Sequence, residues 1–284
     1  MAHGFGIFAH RSVRAGGIVL AAGALSLLAP QSAQAVPLVV TFDPSGAGLG
    51  GTITPFQSIT QNGLDAARAV IKSNGSFTET GVLRFDMFND PSSAPIFTSG
   101  LGTTYGLYMT FSATGKLVGF DPANPSAPTS GSFTSISYSL IGDPGHQDTL
   151  SAATIGTKPM LTDVGSNDVV LATGGSLLVT SVSINSLGIP TASVVLSMTQ
   201  AGTSFFNAPP DVNVFAASFT NSPGTFQFAT AANGNTILAI TGAFNNNFDK
   251  IPEPASMVIF GAGLLALRLV GRWRLPNGGS AARR

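Results

Sequence analysis

The stretch Phe133-Thr-Ser-Ile-Ser-Tyr-Ser-Leu140 shows the pattern that decides the fold of this chain. Ile136, Tyr138 and Leu140 fall on one side of an extended backbone, and the three serines between them and before them fall on the other. Alternation with a period of two residues is typical of a β-strand that buries one face. The stretch therefore predicts a strand that ends near Gly142.

Similar runs, rich in Val, Ile, Thr, Tyr and Phe and bounded by turn residues, recur along the chain. They are Pro37–Phe42, Gly81–Phe88, Tyr105–Phe111, Ser176–Ile184, Ser193–Met198, Val214–Phe219, Thr225–Ala229 and Thr236–Thr241. Many short strands without helices between them predict an all-β, antiparallel body, a β-sandwich or jelly roll. The run Asn62–Lys72 fits either a helix, with Leu64, Ala67 and Ile71 on one face, or a further strand.

The N-terminal region has the features of a secretory signal peptide. Two arginines precede an apolar run over residues 18–29, and the run is too short to span a bilayer. The small residues Ala33 and Ala35 stand where a signal peptidase requires them, which predicts cleavage before Val36. Residues 1–35 are therefore predicted to form a signal helix and to be removed on export. An uncleaved membrane anchor is the alternative.

The C-terminal region contains a second targeting element. Pro252-Glu253-Pro254 holds an extended backbone, since proline fixes φ and restricts the residue before it. An apolar segment over residues 255–270 follows and predicts a short transmembrane helix. The basic residues Arg268, Arg272 and Arg274 mark its cytoplasmic end by the positive-inside rule.

This order of triplet, apolar helix and basic flank resembles the PEP-CTERM sorting signal of Gram-negative bacteria. The resemblance implies recognition by exosortase, a membrane-embedded cysteine transpeptidase, and removal of the helix and tail. It divides the chain into a body over residues 36–241, a linker or stalk over 242–250, the sorting signal over 251–274 and a disordered cytoplasmic tail over 275–284. An ordinary proline-rich linker before a permanent anchor is the alternative.

A second resemblance concerns the start of the body. Phe42-Asp-Pro-Ser-Gly-Ala-Gly48, the stretch Ile53–Phe56 and Phe77-Thr-Glu79 resemble the flocculation-associated PEP-CTERM proteins. That family implies a role in holding cells in a floc bound by extracellular polysaccharide. It implies no catalytic residue for this chain.

Charge and histidine content narrow the classes of function. Seven of the 13 basic residues lie outside residues 36–250, so the body has six basic residues against twelve acidic ones. An acidic body disfavours nucleic acid as a partner, because phosphate binding needs clustered Lys and Arg. The body has one histidine, His146, and its turn-like sequence predicts an exposed loop residue. No G-x-S-x-G motif accompanies it, so the sequence gives no indication of a hydrolytic triad.

Calcium is the metal that this composition favours. The chain has no cysteine, and Asp143, Asp148, Asp163 and Asp168 lie in predicted loops. No stretch has the density of a known calcium-binding loop, and Asp also ends strands and caps turns. The sequence therefore predicts no metal and no cofactor. The alternative is a Ca²⁺ site, for which Asp143 and Asp148 are the candidate ligands.

Together these patterns predict an exported, non-enzymatic protein of the cell surface or extracellular matrix. It would be held transiently in the inner membrane, cut by exosortase, and would then associate with extracellular polysaccharide and support aggregation or biofilm formation. The alternative is a secreted polysaccharide-binding module or a polysaccharide-active enzyme, since two carboxyl groups can meet from distant strands.

Overall fold

The computed structural model describes residues 38–165, 167–202 and 204–249, and within these ranges the chain forms strands, turns and a single 3₁₀ turn at Phe97–Ser99. The strands are β1 (Val40–Phe42), β2 (Phe56–Ser58), β3 (Thr60–Ile71), β4 (Ser76–Asn89), β5 (Tyr105–Val118), β6 (Thr129–Pro144), β7 (Thr149–Ser151), β8 (Met160–Thr162), β9 (Val169–Ile184), β10 (Pro190–Gln200), β11 (Phe206–Ala208), β12 (Val214–Thr220), β13 (Phe226–Thr230) and β14 (Thr236–Asp249).

Eight strands form one antiparallel sheet that closes on itself. Their order is β12-β10-β9-β6-β5-β4-β3-β14, and β12 pairs in turn with β14. This last pairing runs from Val214 opposite Asp249 to Thr220 opposite Ala243. Closure gives each of these strands a neighbour on both sides, although residues 132–137 of β6 are not paired with β9. A strand with a free edge is a site of aggregation.

The predicted all-β antiparallel class is confirmed, but the predicted sandwich is confirmed only in part. A sandwich buries its core between two separate sheets, whereas here one continuous sheet surrounds the core. The difference arises at the β12–β14 pairing, because β12 and β14 would otherwise be the two edge strands of an open sheet. Strand β13 continues beside the first half of β14, from Thr236 to Ile240.

The interior of the closed sheet is filled by aromatic rings that lie over glycines. The ring of Phe111 covers Gly81 on the paired strand, and the ring of Phe77 covers Gly115. A Cβ at either glycine would overlap the ring beside it. Small residues opposite large ones are the usual way to fill a small barrel interior.

A second, three-stranded sheet covers one end of the closed sheet. Its order is β11-β1-β2, and its rings pack against rings from the ends of β4 and β14. We call the group the phenylalanine cluster; it consists of Phe42, Phe56, Phe88, Phe205, Phe206 and Phe248. Phe42 lies at its centre and is fully buried.

The prediction of a linker over residues 242–250 is wrong for the part that the structure describes, because residues 242–249 form the second half of β14. Phe244 and Phe248 are each about 1% exposed, and Asn246 between them is 3% exposed. The Asn246 side-chain amide donates a 2.9 Å hydrogen bond to Gln61 Oε1 on β3. The asparagine-rich composition concealed an alternating strand.

The ambiguous run Asn62–Lys72 is a strand and not a helix. Its residues 62–71 belong to β3, which pairs with β14 on one side and β4 on the other. Asp65, Ala67, Ala69 and Ile71 are all buried, which is the period of a strand. The helical face that the sequence also allowed is not used.

Candidate functional site

The two processing sites predicted from the sequence lie outside the described residues. These are the signal peptidase site at Ala33, Ala35 and Val36, and the sorting signal with Pro252, Glu253, Pro254, Arg268, Arg272 and Arg274. The predicted signal and transmembrane helices lie there as well. Among the residues that the structure describes, no helix is long and apolar enough to cross a membrane.

Three of the four aspartates predicted as possible calcium ligands come together in the structure. Asp143 lies near the end of β6, Asp148 lies just before β7, and Asp168 lies directly before β9. One carboxylate oxygen from each lies within 4.8 Å of one oxygen from each of the others. We call these three residues the aspartate cluster. Asp163, the fourth candidate, is exposed and is not part of it.

Backbone groups hold two of these carboxylates in place. The amide of Asp148 donates a 2.8 Å hydrogen bond to Asp143 Oδ2, and the amide of Val164 donates a 2.9 Å bond to Asp148 Oδ1. The remaining oxygen of each, Asp143 Oδ1 and Asp148 Oδ2, is buried and has no hydrogen-bond partner among the described residues. Asp168 Oδ1 likewise accepts no hydrogen bond from a donor within that part of the chain, although its carboxyl lies close enough to that of Asp148 to share a proton with it.

The proximity of these carboxylates disfavours their ionisation. Burial first, and the neighbouring carboxylates second, raise the pKa of Asp168 to about 6. Burial is also the main cause that raises the pKa of Asp148. Two unit charges 4 Å apart repel by about 4 kcal/mol at an effective dielectric constant of 20. The cluster is therefore stabilised either by protons or by a bound cation.

His146 does not join the aspartate cluster. It is exposed in the turn after β6, with a positive φ of 52°. It borders a surface pocket with Arg84, Asp86 and Tyr108, where Arg84 Nε lies 2.7 Å from Asp86 Oδ1. The prediction that His146 is an exposed loop residue is confirmed.

The interior of the closed sheet contains a pair of acidic residues that the sequence did not reveal. A cavity of about 90 Å³ is lined mainly by apolar side chains, together with Asp65 and Glu79. Burial raises the pKa of Glu79 to about 7. Burial, and then the charge of Glu79, raise the pKa of Asp65 well above its usual value. The only sequence signal was the position of Asp65 in register with Ala67, Ala69 and Ile71.

These raised pKa values predict that the protein loses stability as the pH rises. The Glu79 pKa is 4.5 in a free chain and about 7 here, so between these values the folded state holds a proton that the unfolded state has lost. The free energy of unfolding therefore falls as the pH rises through this window. One pKa unit corresponds to about 1.36 kcal/mol, so the free energy of unfolding falls by at most about 3 kcal/mol over this window.

We expect Glu79→Gln to stabilise the protein at pH 8, by up to about 3 kcal/mol, and to leave stability unchanged at pH 4. Urea unfolding of the full chain at both pH values measures the difference. Asp121→Asn is the control, because Asp121 is exposed in a loop. An equal effect of Glu79→Gln at both pH values would contradict the prediction.

Comparison with known proteins identifies one region of the chain. Residues 250–274 match the family model of the PEP-CTERM protein-sorting motif. No curated protein matches the chain significantly. No solved structure matches it significantly either. The match covers the triplet, the apolar segment and the arginines on which the resemblance rested. The chain therefore carries a PEP-CTERM protein-sorting motif directly after the last strand of its closed sheet.

Proposed function

We propose that this chain is an exported, exosortase-processed protein of the cell surface or extracellular matrix, and that its all-β body supports polysaccharide-associated aggregation without catalysing a reaction. The observation that carries the proposal is the sorting motif at residues 250–274. It implies export, a membrane-anchored sorting step through the apolar segment, and processing by exosortase.

The position of β14 supports release of an intact body. The strand ends at Asp249, and Pro252 follows three residues later in the sequence. A cut at the triplet therefore removes none of the residues that close the sheet. In the body that remains, each of the eight closed strands has a neighbour on both sides, which suits a protein that must stay folded at high local concentration.

The geometry favours the adhesive role over the enzymatic alternative. A polysaccharide-active enzyme needs two carboxyl groups that face each other across an accessible groove, with one of them ionised. Asp65 and Glu79 share a cavity of about 90 Å³, below the size typical of ligand pockets, and the pKa of each is raised. Release of reducing sugars from the host's matrix polysaccharide by the purified protein would overturn the non-catalytic assignment.

Intact-mass measurement on protein from the native host tests the processing. We expect a species that begins at Val36 and ends near Pro252, recovered from the medium or the matrix. Replacement of Pro252, Glu253 and Pro254 by alanine should abolish the cut and leave a chain that extends to Arg284 in the inner membrane.

Pro276→Ala is the matched control for that experiment, because it changes a proline beyond the motif. It should be processed like the wild type. If the wild-type chain itself is recovered with Arg284 and stays in the membrane, the chain is a permanently anchored envelope protein. For the aggregation role, deletion of the gene should reduce flocculation, and only the processed form should restore it.

A further inference from the structure

The aspartate cluster lies at the base of an excursion from the closed sheet. Residues 145–168 leave the sheet after β6, form the β7–β8 hairpin and return at β9. The excursion packs on the outside of the sheet, where Tyr108 Oη donates a 3.2 Å hydrogen bond to the carbonyl of Asp148. Asp143 and Asp168 lie at the two ends of the excursion, so an ion bound by both carboxylates would link these ends.

The carboxylates are oriented as in a built ligand site. Asp143 is fully buried, its Oδ2 accepts a backbone hydrogen bond, and its Oδ1 has no partner in the described part of the chain. Asp148 is only 6% exposed; its Oδ1 accepts a backbone hydrogen bond, and its Oδ2 has no partner in the same part of the chain. In metal sites the second oxygen of a ligating carboxylate is held in this way, which fixes the ligating one.

We propose that Asp143, Asp148 and Asp168 bind a Ca²⁺ ion that joins the two ends of the excursion to the closed sheet. Ca²⁺ binds oxygens at 2.3–2.6 Å, so two oxygens that share one ion are at most about 5 Å apart. The spacing of the cluster, within 4.8 Å, meets this limit. Backbone carbonyls and water complete the six to eight ligands that the ion requires.

The ligand set distinguishes Ca²⁺ from other metals. All three ligands are carboxylates, which suit hard cations, whereas Zn²⁺ in proteins is bound chiefly through His and Cys. Mg²⁺ keeps several of its waters and is usually bound through only one or two carboxylates, whereas Ca²⁺ accepts six to eight oxygens in flexible geometry, so three carboxylates favour Ca²⁺. The proposal does not depend on the sorting function, because all of these residues belong to the folded body.

Calorimetric titration of the full chain, purified in detergent and treated with a chelator, tests the site with CaCl₂ as the probe. We expect a Kd of about 0.1–1 mM and a rise in Tm of roughly 3–10 °C at about 10 mM CaCl₂. Asp143→Asn and Asp168→Asn should each weaken binding at least tenfold. Asp121→Asn removes an exposed charge elsewhere and should leave the affinity unchanged.

Stability in the chelator separates loss of a ligand from loss of the fold. Asparagine can still accept the backbone hydrogen bond and removes a repulsive charge, so the Tm of Asp143→Asn without calcium should be no lower than that of the wild type. If the Tm of Asp143→Asn is lower, the affinity of Asp168→Asn for calcium tests the site instead, since Asp168 is less buried than Asp143 and its replacement disturbs the fold less. Unchanged affinity in that variant, no response to about 10 mM CaCl₂, or equal binding of MgCl₂ would each overturn the proposal.

Discussion

A chain that ends at Thr241 is expected not to fold, whereas a chain that ends at Asp249 is expected to fold like the full-length body. The eight residues in question supply Phe244 and Phe248, both about 1% exposed. Loss of a buried phenylalanine costs about 3–5 kcal/mol. Two such losses are comparable to the whole stability of a domain, about 5–15 kcal/mol.

The truncation also opens the closed sheet. Residues 243–249 form every pair between β14 and β12, so without them β12 becomes an exposed edge. Gln61 Oε1 on β3 also loses the hydrogen bond that Asn246 donates, and residues 61–65 of β3 lose their partners on β14. These losses act together because they all lie along one strand.

Circular dichroism and urea unfolding of the two chains, both starting at Val36, measure the difference. A chain ending at Lys250 is the control and should match the one ending at Asp249. If the chain ending at Thr241 unfolds cooperatively at the same urea concentration as the longer ones, residues 242–249 act as the linker that the sequence predicted. The result also matters for processing, because exosortase must cut beyond Asp249 to release a folded body.

The sequence predicted individual strands better than their arrangement. Phe133–Leu140 lies within β6, and Val214–Phe219 lies within β12, because a period of two residues is a local property that the sequence displays directly. Closure depends on which strand β12 pairs with, and its partner residues 243–249 are asparagine-rich and have low strand propensity. Long-range pairing therefore overrode the local signal there.

The candidate sites show the same difference between local sequence patterns, which can be recognised directly, and contacts that depend on long-range strand pairing. The sorting motif is a contiguous sequence pattern, so its residues could be recognised without any structure. Asp143 and Asp148 were named as ligand candidates because they lie in a predicted loop of an exported chain that has no cysteine. Asp168 joins them only because β9 pairs with β6. The pair Asp65 and Glu79 was missed, because the register of Asp65 with its buried neighbours indicates an interior position only once the run is known to be a strand.

Phe42→Ala is expected to destabilise the body by about 3–5 kcal/mol, a large fraction of the stability of a domain. Phe42 is fully buried at the centre of the phenylalanine cluster. Its ring centroid lies 4.9 Å from that of Phe88, 5.3 Å from that of Phe205 and 5.8 Å from that of Phe248. Alanine would remove all of these contacts and leave a cavity that the surrounding rings cannot fill.

Thermal unfolding should show this as a fall in Tm of about 10 °C, at 2–4 °C per kcal/mol for a domain of this size. Phe97→Ala is the control, because Phe97 is 87% exposed and its loss should shift Tm little. Phe42 belongs to the first strand after the predicted signal peptide cleavage site, and Phe248 belongs to the last strand before the sorting motif. Their contact holds the first and last strands of the body in one core. Equal Tm shifts for the two variants would mean that the cluster does not hold these ends together.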